Sequence, residues 1–570
     1  MHAWKTFKNY QWTFMLVGLA IVLFLLSKIG PGSASQPVTF SVSPTMATGV
    51  TFPIRENKAV YAAEEPDVKE IYVTIADKEN QERFASFSQF DYEYETVQKE
   101  KEKVRIRFDS TKPGLLDTLQ NESNAVLTIR GHSSADRSVV QKSFKIKMDE
   151  AAGTWMGQHT LNLNKHPTDI TRIRNKLSFD LIETIPQMFG LRTQFVHLYI
   201  RDLSDSEKKD YVDYGLYTHV EQVNQSYLKS HGIAENAYLY KVNNFEFRSD
   251  PIALIPSDSP AYDADAFSIL MESGGLDGNT RLIDMVRDVN DLDIDIDTVV
   301  ERHFDRENYL YWLAFNLLTG NLDTNSQNFY LMSPVSDSRW YFIPWDYDGA
   351  WNFENQDGVE KASSWMKSNV SNYWGVILHN RFLKNPDNRA DLMAVMETLN
   401  GEISSAAIRA SMETYRVLTE PLVFSAPDVQ FLPAEPTEYA KAFEWMPDVL
   451  SDNLRDVRDN LQLPQPVYMA GAAHAGGAVL SWDESFDFQG DNLAYAVTVS
   501  LSPDMTNPVF EEEGTDLLSL DVLGMNPGVY FWNLKIWDEE GHVQLPFDQY
   551  VDSDGIIWHG VLSFVVPEKE

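Results

Sequence analysis

The sequence predicts an α+β unit followed by an all-β sandwich. Three observations carry that expectation. Through residues 67–463, strand-like runs such as "VKEIYVTIA" (Val68–Ala76) mix with stretches whose apolar residues recur every four positions. Beyond Pro464 the helical period disappears, and short apolar runs recur between turn residues. The chain has 570 residues, 43% of them hydrophobic, which is ample for two to four packed domains.

The elements follow in order. Lys5 and Lys8 precede an apolar run, "WTFMLVGLAIVLFLL" (Trp12–Leu26), and Lys28 and "GPGSASQP" follow it. The run is shorter than the roughly 20 residues of a membrane-spanning helix. Residues 1–35 therefore fit either an export signal cleaved near Ala34 and Ser35 or a retained single-span anchor. In both cases the rest of the chain is expected in the periplasm or outside the cell, and residues 12–26 would touch a membrane only if retained as an anchor. Residues 36–66 read as a linker or lead-in strand. Strands are expected at Val68–Ala76 and Val104–Asp109, in "NAVLTIRGHSS" and "SFKIKMDE", and in "HTLNLNK". A helix is expected from Asp169 to about Ile185, stopped by Pro186, with Ile173, Leu177, Leu181 and Ile185 on one buried face. "TQFVHLYIRD" and "YGLYTHVEQV" read as an antiparallel pair. A second helix, Ile296–Leu318, runs into "GNLDTNSQNFYLMSPVSDSRWYFIPWDYDG" (Gly320–Gly349), and helices return after about Ala390 and at Trp445–Leu461. Residues 464–570 then offer strands at Ala478–Trp482, Leu493–Ser502, Asp516–Leu523, Gly528–Asp538 and Gly560–Val566.

Charge and composition exclude several classes. Lys+Arg 47 against Asp+Glu 84 gives a formal charge of −37, which disfavours nucleic acid and anionic membranes as partners and favours metal ions and basic proteins. With no cysteine there is no disulfide framework, thiolate zinc site or Cys nucleophile. The 12 histidines show no HExxH spacing, so a zinc hydrolase is not indicated. "DVNDLDIDIDTVVERHFD" (Asp288–Asp305) has alternating aspartates but lacks the Gly and terminal Glu of an EF-hand, and reads as a charged helix lead-in.

The chemistry concentrates in Gly320–Gly349. Asp323 falls in a loop after a helix, and Asn328, five positions on, opens the apolar run "NFYLM". "PVSDS" turns the chain, and Asp346 and Asp348 stand where "RWYFIPW" ends. One hairpin end thus gathers several oxygen-bearing side chains. Magnesium takes such ligands together with nucleotide phosphates, and phosphoryl transfer needs a carboxylate that orients the acceptor. Asp, Asn and Asp in this order around a hairpin match the layout of protein kinases. A D-x-D also serves glycosyl transfer from nucleotide sugars, which is the second reading. For nucleotide phosphates, Gly131, Ser133 and Ser134 form a small polar loop, and Lys145 or Lys147 projects from the next strand opposite Phe144, Ile146 and Met148. Asp180, Glu183 and Glu221 are the candidate carboxylates for fixing that lysine.

Five blocks in order, "LTIRGHSS…KSFKIKM", "TRIRNKLSFDLIE", "FVHLYIRD…YGLYTHVEQV", "NLLTGNLDTNSQNFYLM" and "RWYFIPWDYDGAW", resemble the CotH family of atypical protein kinases, over roughly Val68–Leu461. The resemblance implies a two-lobed kinase-like fold, ATP with Mg2+, and phosphorylation of Ser/Thr on secreted or surface proteins. By position it gives Asp323 the catalytic role and Asn328 and Asp346 the metal, with Asp348 beside them. Arg130 and the Gly131–Ser134 loop would face the nucleotide, and Lys145 its phosphates. "RDLSDSEKKD" (Arg201–Asp210) stands where the family often has a short Asn-Gly turn. An inactive scaffold, or transfer of AMP, an amino acid or a sugar by the same site, is also compatible with these residues. Beyond Pro464, Trp482 and Tyr530-Phe531-Trp532 resemble the fibronectin type III pattern, an immunoglobulin-like sandwich.

Overall fold

The structure is a computed structural model that describes residues 53–75, 104–110, 125–130, 141–202, 210–356 and 369–568. The apolar run at 12–26 and the loop residues Gly131, Ser133 and Ser134 lie outside them. Among the described residues, no helix is long and apolar enough to cross a membrane.

The first part is a closed barrel. Its strands are β1 (Lys69–Ile75), β2 (Val104–Ser110), β3 (Ala125–Ile129), β4 (Phe144–Met148), β5 (Thr160–Asn164), β6 (Thr193–Asp202) and β7 (Val212–Glu221), joined in the order β1-β2-β3-β4-β5-β7-β6. Alternation fixes which side chains point inward. Val73, Leu127, Ile146, Leu161, Leu163, Val196 and Leu198 are all fully buried in one apolar cluster. Each such side chain contributes about 1.5–3 kcal/mol on burial. The barrel closes through the parallel pairing of β1 with β6, and closure leaves no edge strand for another chain to join.

The helical part packs on the other face of β6 and β7. Its first helix, Arg174–Ile182, starts five residues later than expected. The Asp169 carboxylate accepts hydrogen bonds from Thr171 N (2.9 Å), Thr171 Oγ1 (2.7 Å) and Arg174 N (3.2 Å), and Arg172 sits at φ +60, so the chain turns before it coils. Nor does this helix bury a single face: every residue from Arg174 to Ile182 except Asp180 is buried. The expected helix over Ile296–Leu318 is two helices, Ile296–His303 and Arg306–Thr319. Asp305 interrupts it by capping Asn308 N at 3.0 Å, and the backbone of His303–Asp305 freed by the break pairs with Trp340. The alternating aspartates before them do lead into a helix, with Asp295 capping Asp297 N at 3.0 Å. A further sheet, in the order β11-β10-β8-β9, comprises β8 (Ala237–Val242), β9 (Met271–Ser273), β10 (Phe329–Pro334) and β11 (Tyr341–Pro344). Helices then run from Ile377 through Asn460, beginning earlier than the sequence suggested.

The last part is all β. One sheet joins β12 (Met469–His474), β13 (Gly477–Trp482) and β16 (Ser519–Leu523). The other joins β14 (Ala494–Ser500), β15 (Pro508–Thr515), β17 (Gly528–Trp537) and β18 (Val543–Gln544), with β21 (Val561–Val566) on β17, while β19 (Gln549–Val551) and β20 (Ile557–His559) pair with each other. Trp482, Tyr495, Val497, Trp532 and Leu534 form their shared core. Sequence alternation does not reveal β15, because it is an edge strand whose Glu511–Glu513 run is exposed.

Candidate active site

The Arg306–Thr319 helix delivers the chain to the site. Gly320 ends it in the left-handed region (φ +63), where glycine carries no side-chain penalty. The following loop is tied to segment 369–374. Thr324 Oγ1 lies 3.0 Å from Tyr373 Oη, Asn325 Nδ2 donates to Asn372 O (3.1 Å), and Asn372 Nδ2 donates to Leu322 O (3.2 Å). Asp323 is therefore held although its side chain is exposed. Asn328 Nδ2 donates to Asp323 Oδ2 at 2.7 Å, and Gln327 Nε2 donates to Oδ1.

The register Phe329↔Pro344 places Asn328 and Asp346 at the same end of the β10–β11 hairpin. Both have left-handed backbones, φ +57 and φ +60, which Asn and Asp tolerate better than other side chains. Asp323 and Asn328 are thus in contact, and Asp346 and Asp348 act on Asp323 electrostatically.

These carboxylates repel one another. Asp346 is pushed up to about 6, by burial first and then by Asp348, against the opposing pull of Arg130, His166 and Lys241. Asp323 is pushed up to about 7, by surrounding protein first and then, against its amide bonds, by Asp346 and Asp348. Burial is the largest cause of that rise, and repulsion from Asp346 and Asp348 adds to it. Arg130 is the foremost countercharge acting on Asp346. Its guanidinium lies 5.1 Å from the Trp345 ring and bonds Asn164 Oδ1; burial lowers its pKa while Asp346 and Asp348 oppose that.

His166 was not evident in the sequence. Its Nδ1 is 3.1 Å from Asp348 Oδ2. Asn175 Oδ1 accepts the Tyr347 N–H (3.3 Å), which orients the amide so that Nδ2 donates to His166 Nε2 (3.2 Å). The neutral ring's proton is thereby placed on Nδ1, facing Asp348. His166 holds φ +49 because Arg172 Nη1 donates to Lys165 O (2.9 Å) and to His166 O. Arg172 Nη2 also donates to Gln141 Oε1 (3.1 Å), and Gln141 Nε2 to Asp428 Oδ1 (2.8 Å), which Lys165 Nζ meets at 2.8 Å. The only sequence signal was a polar turn, "KHPTD".

On the barrel side, Arg130, Lys145 and Lys147 share one outer face. Arg130 N bonds Ser143 O, and Lys145 pairs across to Thr128 and Asn162. Arg130 lies in the row nearest the hairpin, half-buried Lys145 in the next, and exposed Lys147 beyond it. Glu221, expected to fix Lys145, faces away from it. It pairs in register with Leu161, an inward residue, whereas Lys145 shares its row with Asn162 and Val220. Glu221 is fully buried and accepts from Arg192 N (3.1 Å), Arg192 Nε (3.0 Å), Arg192 Nη2, His231 Nε2 (2.9 Å) and Gln158 Nε2 (3.0 Å). Asp180 is taken by Lys176 at 2.9 Å, and Glu183 lies in the same acidic group with Glu64.

Residues 127–457 match the family model for the CotH kinase protein, from within β3 to the last helix before the sandwich, which includes every residue described above as part of the cleft. The chain is 25% identical over 247 residues to the inner spore coat protein H of Bacillus subtilis (strain 168), an alignment covering 43% of this chain and 63% of that protein, so under two thirds of its length is spanned. The crystal structure of the Helicobacter pylori proinflammatory kinase CtkA aligns over 60% of this chain and 95% of that one, at 9% identity and a TM-score of 0.23. With more than half its length matched in one uninterrupted stretch, the chain belongs to the CotH kinase protein family.

Proposed function

We propose that this chain is an exported phosphotransferase that uses ATP and Mg2+ to phosphorylate Ser or Thr hydroxyls of secreted or surface proteins. The observation that carries the reading is the convergence of Asp323, Asn328, Asp346 and Asp348 on one hairpin end, opposite Arg130. The donor set suits a hard cation. Asp346 and Asp348 are carboxylates in mutual repulsion, and Asn328 spends its amide donor on Asp323, which leaves Oδ1 as an acceptor. Bound magnesium would neutralise phosphate charge there. His166 orients Asp348, Arg130 balances the carboxylates and faces the nucleotide, and Lys145, with Lys147 farther out, offers charge to its phosphates. Asp323, held by two amides on separate oxygens, keeps lone pairs for the hydrogen of an acceptor hydroxyl and would receive its proton. The apolar run at 12–26 and the coat-protein relative support export.

The test is incubation of the protein with Mg2+ and ATP labelled at the γ- or the α-phosphate, with Asp323→Ala as control. Transfer of γ label alone, lost in Asp323→Ala, is the expected result. Transfer of α label would indicate AMP transfer instead. Absence of nucleotide binding by calorimetry would refute both and leave a scaffold role.

A further inference from the structure

Two groups of three carboxylates lie outside the cleft among the described residues. In Glu64, Asp180 and Glu183 the countercharge is already present, because Lys176 Nζ stands 2.9 Å from Asp180 and 3.6 Å from Glu64. The second group, Asp487, Asp491 and Asp538 in the sandwich, is different. One oxygen from each lies within 4.8 Å of the others, and among the described residues no Lys or Arg pairs with any of them.

Asp487 is 8% exposed. Its Oδ1 accepts the N–H groups of Gln489 (2.8 Å), Gly490 (2.8 Å) and Asp491 (3.1 Å), which folds the loop around it. Its Oδ2 is buried with no hydrogen-bond partner. A buried carboxylate oxygen with nothing to bond is unfavourable, and a bound cation would relieve that cost. Asp538, 3% exposed, accepts from His542 N (2.9 Å) on one oxygen and from His542 Nδ1 (2.8 Å) on the other, so each oxygen keeps a lone pair. Glu539 and Glu540 add negative charge beside Asp491. Calcium takes six to eight oxygens at about 2.3–2.6 Å, so two ligands of one ion stand at most roughly 4.6–5.2 Å apart, and oxygens that all lie within 4.8 Å of one another are close enough to share an ion.

We propose that Asp487, Asp491 and Asp538 bind one calcium ion that ties the sandwich to the helical part. The location gives the ion that role. Phe486 and Phe488, on either side of Asp487, each lie 5.5 Å from the Trp374 ring. Lys384 Nζ sits 5.4 Å from the Phe486 ring and the Arg389 guanidinium 4.5 Å from Phe488. Gln489 Nε2 donates to Leu461 O at 3.1 Å. The loop is thus docked on the helices, while Asp538 belongs to the turn after β17. An ion shared by them joins that turn to the docked loop.

The test is calorimetric titration of CaCl2 into the full chain in detergent, at physiological ionic strength with excess MgCl2, paired with thermal melts in calcium and in EGTA. The expected result is one calcium site with Kd of about 10⁻⁴–10⁻³ M, the range of extracellular modules, and a higher melting midpoint in calcium. Asp491→Asn, whose side chain makes no hydrogen bond among the described residues, should melt no lower than the wild type in EGTA yet lose the site and the calcium-dependent shift. Asp346→Asn, in the cleft, should keep both. Absence of calcium binding by the wild type, retention of the site in Asp491→Asn, or its loss in Asp346→Asn would each overturn the proposal.

Discussion

Replacing Glu221 with Gln separates a structural role from a nucleotide role. Five donors converge on the two Glu221 oxygens: Arg192 N, Nε and His231 Nε2 on Oε2, and Arg192 Nη2 and Gln158 Nε2 on Oε1. This donor shell, against the cost of burial, holds Glu221 down at about 2. A Gln amide must put its NH2 on one side. On the Oε2 side it would face three donors. On the Oε1 side it faces Arg192 Nη2 and Gln158, and Gln158 can turn its unpartnered Oε1 inward to accept. The second arrangement wins and leaves a buried Arg192 without its counter-ion. Breaking a buried pair costs about 3–5 kcal/mol, and rescue by Gln158 places this variant near the low end, about 3 kcal/mol. Urea denaturation followed by tryptophan fluorescence measures the loss. Because Glu221 lies off the Lys145 face, the folded variant should bind Mg-ATP within about twofold of wild type, under 0.5 kcal/mol. Unchanged stability together with a large loss of nucleotide affinity would refute the reasoning and restore Glu221 to the cleft.

Three further outcomes follow from the same geometry. Gly320→Ala puts a side chain at φ +63 against Asn352 Oδ1 and 3.0 Å from Asn453 Nδ2, so stability should fall by about 1–2 kcal/mol in denaturation, and the proposed phosphotransferase activity should fall with it as the Asp323 loop shifts. Asp346→Asn removes the repulsion with Asp348 and keeps a residue that accepts φ +60, so melting in EDTA should rise by the equivalent of about 1 kcal/mol after allowance for solvent screening, while Mg-dependent nucleotide binding is lost. His231 sits between Glu56 (3.0 Å) and Glu221 (2.9 Å), and its pKa is raised because their bonds and charges outweigh burial. Its stabilisation is complete below the ordinary histidine value of 6.5 and is lost as pH rises through the raised value, so stability should decline above that pH in wild type and lose that slope in His231→Phe.

The sequence by itself determined the elements whose signal is local. Alternation set the inward face of β4, and the order of Asp323, Asn328 and Asp346 around "NFYLM" and "RWYFIPW" placed the oxygen donors at one hairpin end, because a two-stranded hairpin fixes its own register. The α+β unit and the all-β portion were legible for the same reason. Tertiary structure decided what local pattern cannot encode. The single period over Ile296–Leu318 became two helices because Asp305 caps and Trp340 bonds to the broken backbone. Asp169 began its helix late because a carboxylate satisfied the backbone donors first. Glu221 left the lysine's face because strand register assigned it to the barrel interior, where Arg192 and His231 outbid any distant partner. His166 joined Asp348 across 182 positions only because a buried Arg172–Gln141–Asp428 array holds its backbone left-handed, an arrangement of long-range hydrogen bonds with no period to read.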